Sequence, residues 1–89
     1  MASESLLSAP HDTPVPLSTL APGERAVVVS IDSANPIGRR LIDLGFVPGT
    51  PIRAIRRAPL GDPITYELRG GRLCLRRSEA KRIGVVPVE

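Results

Sequence analysis

Aromatic side chains are almost missing from this sequence: its 89 residues hold no tryptophan, one phenylalanine, Phe46, and one tyrosine, Tyr66. A stacking platform for single-stranded nucleic acid needs several such rings along a basic groove, so that class lacks half its parts. The core must be assembled from Val, Ile and Leu, which bury less area apiece, and modest stability is expected. Cysteine is scarce too. Cys74 stands alone and cannot close an internal disulfide, and the first residues have neither the basic start nor the apolar run of a secretion signal, which points to the cytoplasm. Charges, prolines or glycines interrupt every apolar stretch well before the roughly 18 residues that a membrane-spanning helix requires, so a soluble chain is expected.

What is present is basic and confined. All 12 Lys and Arg residues fall between Arg25 and Arg82, whereas the segment before Gly23 carries only the acids Glu4 and Asp12. Without those two, 12 bases stand against 7 acids, +5 compared with +3 for the whole chain. Such a balance invites nucleic acid or an acidic partner. Six acids are interleaved among the arginines, however, from Glu24 to Glu79. A solvated, mixed surface explains that pattern more simply than a nucleic-acid platform does.

Length and an initial Met1 predict one small domain with one core. Residues 1–16 are rich in Ser, Pro and Thr without apolar periodicity and read as a flexible tail, with the folded domain spanning residues 17–89. Leu17 and Leu20 anchor its start and Pro22-Gly23 turns the chain. A first strand follows over Arg25 to Asp32, with Val27, Val29 and Ile31 on one face. Asn35-Pro36 is a helix start, since Asn accepts from free N–H groups and Pro at the first position loses no needed donor. The helix should run to Leu44, with Ile37, Leu41 and Leu44 as an apolar stripe and Gly45 as a left-handed cap. Pro48-Gly49 turns again.

Four further strands are expected at Ile52–Arg57, Ile64–Arg69, Arg72–Arg76 and Ile83–Val88. Ile64, Tyr66 and Leu68 share a face, as do Leu73 and Leu75, and Gly70-Gly71 suits a two-residue hairpin turn. Ile55 breaks the alternation set by Ile52 and Ala54, which calls for a bulge or an outer apolar contact. Ser78 can cap one helical turn through Arg82. Five strands with one helix inserted after the first cannot bury a flat sheet in so short a chain, so a small, mainly β barrel is expected.

The segment Arg39 to Pro63, RRLIDLGFVPGTPIRAIRRAPLGDP, resembles the core signature of the FeoA family, above all in Ala58-Pro59-Leu60-Gly61-Asp62-Pro63. The similarity extends from about Leu17 to Val88, including Leu73-Cys74-Leu75-Arg76-Arg77 and Glu79-Ala80. The resemblance implies an SH3-like barrel and a partner, the FeoB-type ferrous iron transporter with its cytoplasmic G-protein domain. It also implies a role in iron homeostasis, a family-level link to transition metal ion binding, and recruitment to the inner face of the plasma membrane only through the transporter. The same domain is found on iron-dependent transcriptional repressors, whose DNA-binding helical domain does not fit in this length.

A metal site from this chain alone is not expected: His11 lies in the tail, Cys74 in a strand, and the acids stand singly, while transition metals need converging ligands. No catalytic residue or cofactor site is expected either, because the folded part has no histidine and no nucleophile beside a base. The glycines are explained by turns and match no phosphate-binding loop. The site expected instead is a partner-binding surface of Arg39, Arg40, Leu44, Pro59, Leu60 and Asp62. Arg39 and Arg40 lie on the helix, with Arg56 and Arg57 as neighbours, and could face an acidic patch. Leu60 sits between Pro59 and Gly61 in a loop, where it either protrudes for docking or folds back over the barrel end. The alternatives are a repressor-associated or nucleic-acid-binding module using the arginines, an activator of GTP hydrolysis through one arginine, and weak self-association through the apolar loop.

Overall fold

A computed structural model describes residues 13–88. Most of the expected tail, with His11, lies outside them. The strands are β1 (Val15–Pro16), β2 (Arg25–Ile31), β3 (Pro51–Arg57), β4 (Ile64–Leu68), β5 (Gly71–Leu75) and β6 (Ile83–Val88). Helix α1 covers Pro36–Asp43 and the single turn α2 covers Arg77–Ala80. Folding therefore begins before the expected Leu17: Val15 and Pro16 pair with Val85 and Gly84.

All neighbouring strands are antiparallel, in the order β1-β6-β2-β3-β4-β5. Leu17, directly after one edge strand, accepts from the Tyr66 hydroxyl at 3.4 Å, and the carbonyls of Ser18 and Leu20 accept from Arg57 at 3.1 and 2.7 Å. A segment that leaves β1 thus reaches β3 and β4 on the far side of the sheet. That is possible because the sheet curls into a barrel, which buries one core inside it.

The local signals for α1 hold in detail. Asn35 Oδ1 accepts from the Ile37 N–H at 2.8 Å. At the other end Gly45 takes φ 111°, its N–H donates to Ile42 and that of Phe46 to Leu41. This doubly bonded ending also brings Phe46 and Leu41 together in the core. The expected apolar stripe is corrected: Leu41 is buried, but Ile37 and Leu44 remain 37% and 44% exposed. The helix packs instead through Leu41 and the bare backbone of Gly38, which lies directly on the Asp32 carbonyl.

The face of β2 is also corrected. Ala26 and Val28 point into the core while Val29 is exposed, and a register shift between Val28 and Ser30 then returns Ile31 to the core side. Of the two outcomes expected at Ile55, the bulge is the one present, between Ala54 and Arg56. The β4–β5 turn lies one residue earlier than expected, at Arg69-Gly70, with φ 54° and 79°, because Leu68 pairs with Gly71. Ser78 is not the cap of α2. Arg76 occupies that position, and the Glu79 carboxylate accepts from its N–H at 3.0 Å.

Candidate partner-binding site

The β3–β4 connection, Ala58 to Pro63, is a closed loop. The Ala58 N–H donates to the Pro63 carbonyl at 3.0 Å and the Gly61 N–H to the Ala58 carbonyl at 2.7 Å. The Asp62–Pro63 peptide is cis. Asp62 Oδ1 accepts from the Arg77 N–H at 3.0 Å, which ties the loop to the start of α2. With its base held at both points, the loop presents Leu60 to solvent at 95% exposure. Leu60 therefore protrudes and does not cover the barrel end.

Two depressions adjoin the loop and share Pro63 and Cys74. One, of about 350 Å³, is lined by Arg56, Arg57, Pro59, Thr65 and others. The second, of about 620 Å³, lies between the start of α1 and α2 and is lined by Ile37, Arg40, Arg76, Ser78 and Glu79. Across it Arg40 pairs with Glu79 at 2.8 Å, with the arginine 64% and the glutamate 14% exposed. Arg39 turns elsewhere, its Nε donating to the Ser33 carbonyl at 3.3 Å. Arg57 is half-buried and clamps the segment after β1, whereas Arg56 is exposed. Leu44 ends α1 next to Gly45, which lies against Leu68 and Arg69, away from the loop. Of the expected residues, then, Arg40, Pro59, Leu60 and Asp62 gather around the loop, and Arg39 and Leu44 stand apart.

A family model described as the FeoA domain matches residues 15–87. This chain belongs to the FeoA family. Over 69 residues it is 36% identical to an Fe(2+) transport protein A/Fe(2+) transporter FeoB fusion protein of Porphyromonas gingivalis, a stretch that is 78% of this chain and 8% of the fusion protein. The solution structure of a FeoA-like protein from Clostridium acetobutylicum superposes with a TM-score of 0.82 at 36% identity, covering 86% of this chain and 90% of that one. FeoA of Stenotrophomonas maltophilia, described as a prokaryotic SH3 domain protein and solved with zinc, gives 0.69 at 40% identity over 78% and 86% of the two chains. The SH3-like barrel expected from the resemblance is the fold observed. Among the described residues of this FeoA, no three His, Cys, Asp or Glu side chains are grouped as a metal ion requires.

Ile37, Pro63, Cys74 and Glu79, absent from the expected surface, are among the residues that line the depressions. Cys74 could have been found, since Leu73 and Leu75 point inward and the residue between them must point outward. Its Sγ lies 3.3 Å from Thr65 Oγ1. Ile37 was misplaced by the helical stripe.

Proposed function

We propose that this FeoA protein is a small cytoplasmic accessory component of bacterial ferrous iron uptake, which binds a FeoB-type membrane transporter at its cytoplasmic G-protein domain and regulates it. The observation that carries this reading is Leu60, a large apolar side chain 95% exposed at the tip of a hydrogen-bonded loop. An ordered loop loses little entropy on docking, so an exposed leucine there suits a pocket on a partner. Family membership supports the link to ferrous iron. That the P. gingivalis protein carries both names in one chain supports the choice of partner. Pro59 and Leu60 form the contact, Asp62 shapes the loop, and Arg40 contributes charge at its rim. No chemical step is assigned to FeoA itself. No helix among the described residues is long and apolar enough to cross a membrane, and we place the protein at the membrane through its partner.

Co-purification from cells expressing both proteins, with and without GTP analogues, tests the proposal. Leu60→Asp should weaken capture of the transporter and leave stability within about 0.5 kcal/mol of the parent, as an exposed site does. Undiminished capture would refute the assignment of Leu60.

A further inference from the structure

The two depressions beside the Leu60 loop differ in charge. The one between α1 and α2 holds Glu79 against Arg40. The one of about 350 Å³, at the end of β3, has no carboxylate in its lining, and two guanidinium groups, of Arg56 and Arg57, border it.

Neither of these positive charges is balanced by a neighbour. Arg57 donates through Nη2 to the carbonyls of Ser18 and Leu20, which are neutral, and its Nε is buried without an acceptor. Arg56 is exposed. No ion pair forms on either among the described residues: Glu79 pairs with Arg40, Glu67 lies by Arg72, and Asp62 accepts from the Arg77 N–H. A guanidinium partly withdrawn from water without a counter-charge carries a cost that a bound anion offsets. The clamp to Ser18 and Leu20 also fixes Arg57 before anything binds, so little side-chain freedom is left to lose.

The rest of the lining selects the kind of anion. Ala58, Pro59 and Pro63 give the depression an apolar wall. Such a wall suits the methylene groups of a Glu or Asp side chain and offers nothing to a bare phosphate. Pro59 joins the depression directly to Leu60, so a protein surface that buries Leu60 also reaches it.

We infer that the depression bordered by Arg56 and Arg57 receives one carboxylate side chain of the protein that docks on Leu60. This rests on the docking reading of Leu60 and adds the chemistry of a second contact: the partner must offer an apolar pocket and an acidic residue side by side. Arginine grips such a carboxylate with paired, in-plane donors.

The test is a titration of isotope-labelled protein at low, constant ionic strength, followed by NMR. The probe is N-acetylglutamate amide, with N-acetylglutamine amide as its neutral isostere and inorganic phosphate as an oxyanion without methylene groups. The glutamate probe should give saturable shifts in the amides of Arg56, Arg57, Thr65 and Cys74, the glutamine probe none, and phosphate weaker ones. Arg56→Gln should weaken binding of the glutamate probe by about two- to fivefold, as loss of one solvent-screened charge contact implies. Arg72→Gln, which removes a guanidinium outside the depression, should bind it as the parent does. Absent or scattered shifts, an equal response to the glutamine probe, tighter binding of phosphate, or the same loss in Arg72→Gln would each overturn the assignment. Because the probe requires no transporter, the two readings fail separately. Capture that depends on Leu60 without any probe binding overturns the carboxylate site alone, and probe binding with capture indifferent to Leu60→Asp overturns the docking reading instead.

Discussion

Gly38→Ala reverses a general expectation for helices. In a helix interior, alanine is favoured over glycine by about 1 kcal/mol. Gly38 lies in α1 and is buried, and a Cβ built on it would overlap the Asp32 carbonyl oxygen. That oxygen belongs to backbone and cannot rotate away as a side chain would. The helix must lift, and lifting it opens the contact that keeps Leu41 in the core. Overpacking at such sites costs about 1 to 3 kcal/mol, and partial exposure of a leucine adds to that from its burial term of roughly 1.5 to 3 kcal/mol. After the propensity gain, the variant should be destabilised by about 2 kcal/mol, which for a domain of this size lowers Tm by roughly 8 to 16 °C. Thermal unfolding followed by circular dichroism measures this. Gly84→Ala is the control: its Cβ would meet the Ser30 hydroxyl, which can turn aside, and Ser30→Ala should restore much of a smaller loss. A Gly38→Ala protein as stable as its parent would refute the close helix packing.

Tyr66 has its hydroxyl pushed up to about 12 by burial, against the lowering effect of Arg57 and Arg77. Because the folded state holds this proton more tightly than the unfolded chain, stability is complete below about pH 10 and falls between about pH 10 and 12, by about 2 to 3 kcal/mol in all. As Tyr66 is the lone tyrosine and there is no tryptophan, ultraviolet absorbance reads its ionisation directly, and a midpoint near 10 would contradict the burial. The Arg40–Glu79 pair should show a coupling below about 1 kcal/mol in a double-mutant cycle, because Arg40 is largely exposed. Glu79→Ala should cost more than Arg40→Ala, since Glu79 also holds the Arg76 N–H.

Features carried by neighbouring residues were legible from sequence. Asn35-Pro36, Gly45 and Pro48-Gly49 bound α1 and its exit because caps and turns depend on a few adjacent residues, and the bulge at Ile55 showed as a break in alternation. Features that depend on packing were not. Val27, Val28 and Val29 are alike, so alternation cannot choose a face, and the bulge after Val28 defeats any single parity. A β4–β5 turn at Gly70-Gly71 or at Arg69-Gly70 keeps the same residues inward, so local pattern cannot separate two registers that differ by two residues. Gly38 carries no hydrophobic signal, although its missing side chain is what lets α1 approach the backbone of Asp32, just after β2. At the site, an apolar Leu60 between Pro59 and Gly61 marks the loop in the sequence, but neighbouring residues do not fix whether it points outward or back over the barrel. The hydrogen bond from Arg77 to Asp62, spanning 15 residues in sequence, was invisible.

The exposure of Leu60 also bears on how strong one contact can be. Among the described residues, a core of 15 buried apolar side chains draws on nearly every element of the fold, yet this leucine adds nothing to it. Burying it fully in a partner would contribute roughly 1.5 to 3 kcal/mol, or on the order of ten- to a hundredfold in affinity. An ordered loop loses little of that to entropy. One leucine is too little to hold a transporter by itself, so the proposed interface needs further contacts, and the depressions beside the loop, with Ile37 and Arg40 at one rim and Arg56 and Pro59 at the other, are where they would lie. Substitutions there should weaken capture less than Leu60→Asp does, because the contact they lose is smaller and more solvated. An equal or larger loss from Arg56→Ala would move the centre of the interface away from Leu60 and onto the charged rim.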